Sequence, residues 1–360
     1  MRKLDSLQAY RGIAAILVVL YHVTVFSQER TISPFSAGFF NFGFTGVDFF
    51  FVLSGFIIFY VHSDDLGHLD RLPAYLRKRF NRIYPFYWVV TLVKIAAIVL
   101  VAGYAKSYER EASVIVKSML LLPQPNLPII GAAWTLTHEV LFYLLFAAMI
   151  LLGARCALSI FVIWVTAIIG FHISGQLGLI ETTNDYLLAF LLNPRNLEFV
   201  LGCLSGYLLK SRQIRCPSLW LCLGAILFLL AALYIDQGGS DSSMTLVLLF
   251  GVPSFLVVTG SSTLDKSDRI KFPALLVFLG DASYSIYLGA FAFVNLFSLI
   301  LLRPEIISFI GPFPATLTIT VMAIVGGAAA HVFVERPLRD LLKTKNHLPS
   351  ELVVNQARPQ

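Results

Sequence analysis

Long apolar runs separated by short polar stretches repeat along almost the whole chain. Runs of spanning length fall near 8–27, 44–62, 83–102, 131–152, 156–174, 186–209, 218–235, 244–262, 275–302 and 310–334. A bilayer core of about 30 Å needs roughly 20 apolar residues in a helix, so each run is a candidate transmembrane span. The sixth is interrupted by Asn193-Pro194-Arg195-Asn196. A broken helix at membrane depth is tolerated only where it is buried in protein or lines a polar cavity. The pattern predicts an all-α, polytopic integral membrane bundle of about ten transmembrane helices. No internal repeat, heptad array or low-complexity tract interrupts it.

Composition sharpens this. Hydrophobic residues make up 57% of the 360 and charged residues only 13%, with a mean hydropathy of +0.78, where soluble domains carry about 25% charged residues. The net charge of +6 points to cytoplasmic loops of a membrane protein rather than to a nucleic-acid partner. With the N-terminus inside, nineteen of the 27 Lys and Arg residues fall in inner segments, five in outer ones, and Arg11, Lys94 and Arg195 within spans. This bias places both termini in the cytoplasm. Residues 1–345 read as one transmembrane domain, and 346–360, polar with two prolines, as a short cytoplasmic tail. The first run is long and no A-x-A site follows it, so it reads as an uncleaved span. Cys156, Cys203, Cys216 and Cys222 show no spacing of a metal site or a disulfide frame.

Polar groups inside the spans carry the candidate chemistry. Arg11 and His22 lie eleven residues apart in the first, so they share a helix face and sit about 16 Å apart along its axis. Asp48 opens the second span, and His138 and Glu139 the fourth. By topology these groups lie with His22 in the outer half of the bilayer, where a charge costs roughly 2.5–3.5 kcal/mol. A shared polar cavity explains the group better than separate packing roles. Each has a plainer reading too: His22 as a packing histidine and Asp48 as a helix cap. Arg79 and Arg82, three apart in an inner basic cluster, can grip one phosphate from two sides or simply anchor the topology. Arg195 and Glu198 are spaced to pair across one turn, while Lys94 has no obvious partner. Asp281, Tyr284 and Tyr287 begin the ninth span, and Glu335-Arg336-Pro337 reads as a helix stop with an ion pair.

Six segments occur in the order found in the membrane-bound acyltransferase-3 family. They are R-G-I-A-A-I-L-V-V-L-Y-H, G-V-D-F-F-F-V-L-S-G-F, R-F-N-R-I-Y-P, W-T-L-T-H-E-V-L-F-Y, S-Y-S-I-Y-L and V-E-R-P. The chain resembles that family, which includes bacterial polysaccharide and nodulation-factor O-acetyltransferases, over roughly residues 4–340. The resemblance implies a ten-helix fold that moves an acyl group from cytoplasmic acyl-CoA to a glycan hydroxyl. It implies that Arg11 and His22 form a first-helix pair with His22 catalytic, that Arg79 and Arg82 meet the donor, and that Glu139 is the fourth-helix acid. Family members often place a histidine shortly after S-Y-S-I-Y-L, where this chain has Gly289, Ala290 and Phe291.

The expected activity is therefore O-acylation of a surface or exported glycan in the bacterial inner membrane. The expected partners are membrane lipid, acyl-CoA (acetyl-CoA first) and a glycan, with no metal. His22 would take the hydroxyl proton, with Glu139 or Asp48 orienting the imidazole. A covalent acyl-enzyme stays open. The competing expectation is a proton-coupled transporter, since titratable residues within helices also mark proton relays. It gives no reason for two arginines at the inner mouth.

Overall fold

The structure, a computed structural model, describes residues 4–344 apart from 31, 33–38, 102–105, 180–184 and 212–213; the expected tail at 346–360 lies outside them. The described chain is helical throughout, with no strand. The first span is α1 (Asp5–Gln28), and a 3₁₀ turn at Asn41–Thr45 leads into α2 (Gly46–His62). α3 (Leu72–Leu100), the short α4 (Ala112–Leu120), α5 (Trp134–Leu152) and α6 (Ala154–Gln176) follow. α7 (Tyr186–Leu191) and α8 (Asn196–Ser211) are the halves of the broken sixth span, and α9 (Pro217–Asp236) is the seventh. α10 (Ser243–Leu246) passes through a π-turn into α11 (Val252–Lys266). α12 (Ala274–Asp281), α13 (Ser283–Leu301), α14 (Pro304–Ile310), α15 (Pro312–Ala330) and α16 (Arg336–Thr344) complete the chain. Among the described residues, ten helical stretches are long and apolar enough to cross a membrane.

Three boundaries differ from the hydropathy pattern. The third span starts at Leu72 rather than near 83. Arg77, Lys78, Arg79 and Arg82 are good helix formers that depress a hydropathy window without breaking a helix. The ninth divides at Ala282, so that α13 alone spans and α12 packs against α1. The last helix does not stop at Pro337: α15 runs through a π-turn at His331–Glu335 into α16. Pro337 follows directly on the π-turn, whose wider turn accommodates a residue without an N–H inside a continuous helix.

Burial sorts the helices. α6 and α9 present Leu158, Val162, Ile163, Leu219, Ile226 and Leu229 outward, apolar surface suited to lipid rather than water. α1, α2, α5, α11 and α13 are the interior. Their core is aromatic: Phe199 of α8 lies 4.6 Å from the Phe51 ring and stacks at 4.7 Å on Phe142. α2 and α8 meet through Gly55 and Gly202. A Cβ on Gly55 would stand 2.1 Å from the Phe199 carbonyl oxygen, and one on Gly202 would stand 2.1 Å from that of Val52. Only glycine allows backbones this close, and the contact fixes the axial register of the two helices.

Candidate functional site

Between the helices lie two partly open cavities that share walls. The first, with about 820 Å³ of empty space, is lined by Arg11 of α1, Arg79 and Arg82 of α3, Glu139 of α5, and Tyr284 and Tyr287 of α13. The second, about 730 Å³, is lined by His22 of α1, Trp134 of α5, Phe291 of α13 and Arg195, which lies between α7 and α8. Val47 and Tyr287 belong to the walls of both. Arg11 and His22 thus face adjoining cavities from two levels of one helix, as their spacing predicts.

Arg79 is held on three sides. Its guanidinium lies 5.6 Å from the ring centres of both Tyr75 and Tyr143, and Nη2 donates to His62 Nε2 at 2.8 Å. An arginine has no acceptor, so Nε2 of His62 must accept and Nδ1 must carry the proton. That proton goes to Asp65 Oδ2 at 2.7 Å. His62 is therefore a neutral imidazole bridging a carboxylate and a guanidinium. Arg79 Nε is buried with no hydrogen-bond partner among the described residues. Arg82 lies 5.7 Å from the Tyr284 ring centre, and Arg11 makes only a long 3.5 Å contact to Gln8. Three guanidinium groups in one low-dielectric cavity, with donors to spare, suit a polyanion.

Glu139 accepts hydrogen bonds from Ser54 Oγ at 2.7 Å and from the Tyr143 hydroxyl. It supplies the negative charge among the arginines. Its neighbour His138 turns the other way, donating from Nδ1 to Asn196 Oδ1 at 2.8 Å. Asn196 in turn donates to the carbonyls of Phe190 and Leu191, closing the end of α7. His138 therefore ties down the broken span and does not line the cavity.

His22 Nδ1 lies 2.7 Å from the Val18 carbonyl. A carbonyl only accepts, so Nδ1 bears the proton and Nε2 keeps its lone pair. The ring stands edge-on to Phe291, with centres 5.8 Å apart. The expectation that Glu139 or Asp48 orients this imidazole is corrected here: a backbone carbonyl one helical turn away occupies the atom they would have used. Asp48 instead takes Arg195 Nε at 3.2 Å, and the guanidinium lies 5.2 Å from the Trp134 ring centre. The expected Arg195–Glu198 pair does not form. Glu198 is fully buried, packed against Gly251 and with its carboxyl beside that of Asp48.

Two further polar groups find partners from elsewhere in the chain. Lys94 pairs with Glu109 at 3.7 Å, brought to it by the turn at Ser107–Arg110. Glu335 accepts from His331 Nδ1 and Ser285 Oγ, each at 2.7 Å, and lies 3.8 Å from Arg339. Its ionic neighbour is therefore Arg339 rather than Arg336, which sits 4.0 Å from Asp340. The four cysteines are unpaired. Sequence reading missed His62 and Asp65, although their three-residue spacing signals a helical pair, and Tyr143, four residues beyond Glu139. Ser54 had no such signal.

A family model and one relative point to the same class. The family described as an acyltransferase domain matches residues 4–332. The exopolysaccharide production protein ExoZ of Rhizobium meliloti (strain 1021) is 28% identical over 83% of this chain and 90% of its own length. The acyltransferase MdmB of Streptomyces mycarofaciens is 28% identical over 94% of this chain and 92% of its own. Protein 2 in the picA locus of Rhizobium radiobacter, also 28% identical, covers 45% of this chain. No solved structure matches the chain significantly. A family match from the first described residue into the last span, over a ten-helix bundle with an arginine-lined cavity beside a histidine, leaves no place for the transporter expectation: the chain belongs to the acyltransferase-3 family of membrane acyltransferases.

Proposed function

We propose that the protein moves an acyl group, acetyl first, from cytoplasmic acyl-CoA to a hydroxyl of a surface or exported glycan, in the inner membrane. One observation carries this reading: Arg11, Arg79 and Arg82 line one cavity, His22 lines the next, and Val47 and Tyr287 wall both. The arginines hold the phosphates of the donor, and the thin arm bearing the thioester runs past Val47 and Tyr287 to His22. The buried, unpaired Nε of Arg79 and the loosely held Arg11 are donors that such a ligand would satisfy.

At the far end His22 Nε2 accepts the proton of the attacking hydroxyl, and the Val18 carbonyl holds Nδ1–H as the imidazolium forms. Glu139 balances the arginine charge, and Asp48 positions Arg195. The printed names of two relatives, one an exopolysaccharide production protein and one an acyltransferase, support the acceptor class and the reaction.

The test is transfer of labelled acetyl from acetyl-CoA to a glycan fraction by detergent-purified protein. His22→Ala should stay folded and bind acyl-CoA while turnover falls by about 10²–10⁴-fold. Near-normal turnover in that variant would remove His22 from the chemistry. No donor-dependent transfer by the wild type, across several acyl-CoAs and glycans, would overturn the reading itself.

A further inference from the structure

Resting on that reading, we infer that the guanidinium of Arg195 holds the negative charge that develops on the thioester carbonyl oxygen beside His22. Arg195 follows Asn193-Pro194 at the break between α7 and α8, where its backbone N–H is taken by Asn193 Oδ1 at 3.0 Å. The break brings the side chain out of the helix line and onto the wall of the His22 cavity. Every other residue on that wall is apolar, aromatic or uncharged apart from His22, so Arg195 is its permanent charge among the described residues.

The way the side chain is held speaks against a simple ion pair. A guanidinium meant only to neutralise a carboxylate presents its fork to both oxygens. Here Arg195 uses Nε alone, to Asp48 Oδ1 at 3.2 Å, and the buried carboxyl of Glu198 lies against Asp48. Trp134 supports the flat face at 5.2 Å. Asp48, 1% exposed against 18% for Arg195, lies behind it. One edge and one face are thus fixed, and the two Nη groups are left for the cavity. A rigid, charged donor already oriented before reaction is what stabilising an oxyanion requires.

The step balances as follows. The acceptor oxygen forms a bond to the carbonyl carbon as its proton passes to His22 Nε2. The carbonyl π electrons move to the carbonyl oxygen, whose charge is met by N–H groups of Arg195 Nη. Collapse re-forms the carbonyl and breaks the carbon–sulfur bond, and the leaving thiolate takes the proton from His22. The products are the ester and CoA thiol.

Arg195→Gln should lower kcat by about 10²–10³-fold, the usual loss on removing one oxyanion donor, with acceptor KM and acyl-CoA affinity little changed. Because that variant leaves Asp48 buried without its cation, the charge-balanced Asp48→Asn/Arg195→Gln variant is made beside it. A second readout does not depend on turnover. Acetyl-CoA labelled with ¹³C at the carbonyl, bound to the wild type, should show its carbonyl stretch at lower frequency than in solution. That shift should be lost in the folded variant. Turnover near wild type, a raised acceptor KM at unchanged kcat, or an unshifted band in the wild type would each overturn the inference. The first two occur only in a protein that transfers acetyl, so they leave the acyl-transfer reading standing. A wild type without transfer removes both.

Discussion

His62 offers a sharp test of how the arginine-lined cavity is built, because it does not itself line that cavity. It is 2% exposed and works through Arg79, whose Nη2 it accepts at 2.8 Å. His62→Phe keeps an aromatic ring in the buried space and removes the acceptor. A hydrogen bond to a charged group is worth about 1.5–3 kcal/mol, which as affinity is roughly tenfold to a hundredfold. Arg79 already has one buried N–H without a partner, so a second gives it reason to swing out from between Tyr75 and Tyr143. Acyl-CoA affinity, titrated calorimetrically in detergent, should fall in that range while acceptor KM stays put. His62→Gln should recover most of it, since its amide oxygen can accept from Arg79. Asp65→Asn should cost less than His62→Phe, because an amide oxygen still receives the His62 Nδ1 proton. A folded His62→Phe protein with wild-type affinity, or a glutamine variant no better than phenylalanine, would refute the positioning role.

Replacing both Arg79 and Arg82 by Gln should weaken acyl-CoA binding tenfold or more while acceptor KM changes little; equal losses on both sides would return the pair to a topology anchor. In a cysteine-free background, single cysteines at 63–70 should be shielded from an impermeant thiol reagent in intact cells and those at 106–111 labelled, with the reverse overturning the orientation assigned from loop charge. Gly202→Ala places a methyl carbon 2.1 Å from the Val52 oxygen and 2.7 Å from Phe56 N. The α2–α8 contact must then open, at a cost of about 1–3 kcal/mol or more. A lowered melting temperature is expected, and an unchanged one would show that the contact is slack.

Hydropathy made the ten spans legible, because a lipid solvent demands long apolar helices and little else resembles them. It misplaced the ends of the third and last because Arg and Lys are polar to a window yet good helix formers, and it missed the division at Ala282, where the apolar run continues unbroken. The depth argument expected His22, Asp48, His138 and Glu139 around one polar cavity. Of these only His22 lines its cavity; Glu139 lies instead with Arg11, Arg79 and Arg82 on the wall of the next, and Asp48 and His138 line neither. It could not say which charge meets which. Asp48 with Arg195, Lys94 with Glu109 and His62 with Arg79 join residues 147, 15 and 17 positions apart. Such pairings depend on how helices and turns settle against one another, and for Asp48 and Arg195 on the glycine contacts of α2 and α8. Glu139 looked fit to orient His22 because it shares its depth, but depth is one coordinate of three.

α1 acts as a measuring rod. Arg11 and His22 stand on it three turns apart, and backbone hydrogen bonds fix that length far more firmly than any side chain could. The distance between Arg11 and His22 is therefore written in the number of residues and not in their identity. Exchanging one apolar residue for another on its outward face leaves the rod intact. Inserting or deleting a single residue between the two turns the imidazole by about 100° and carries it off the cavity wall. This stretch should accept drift in composition and refuse any change in length.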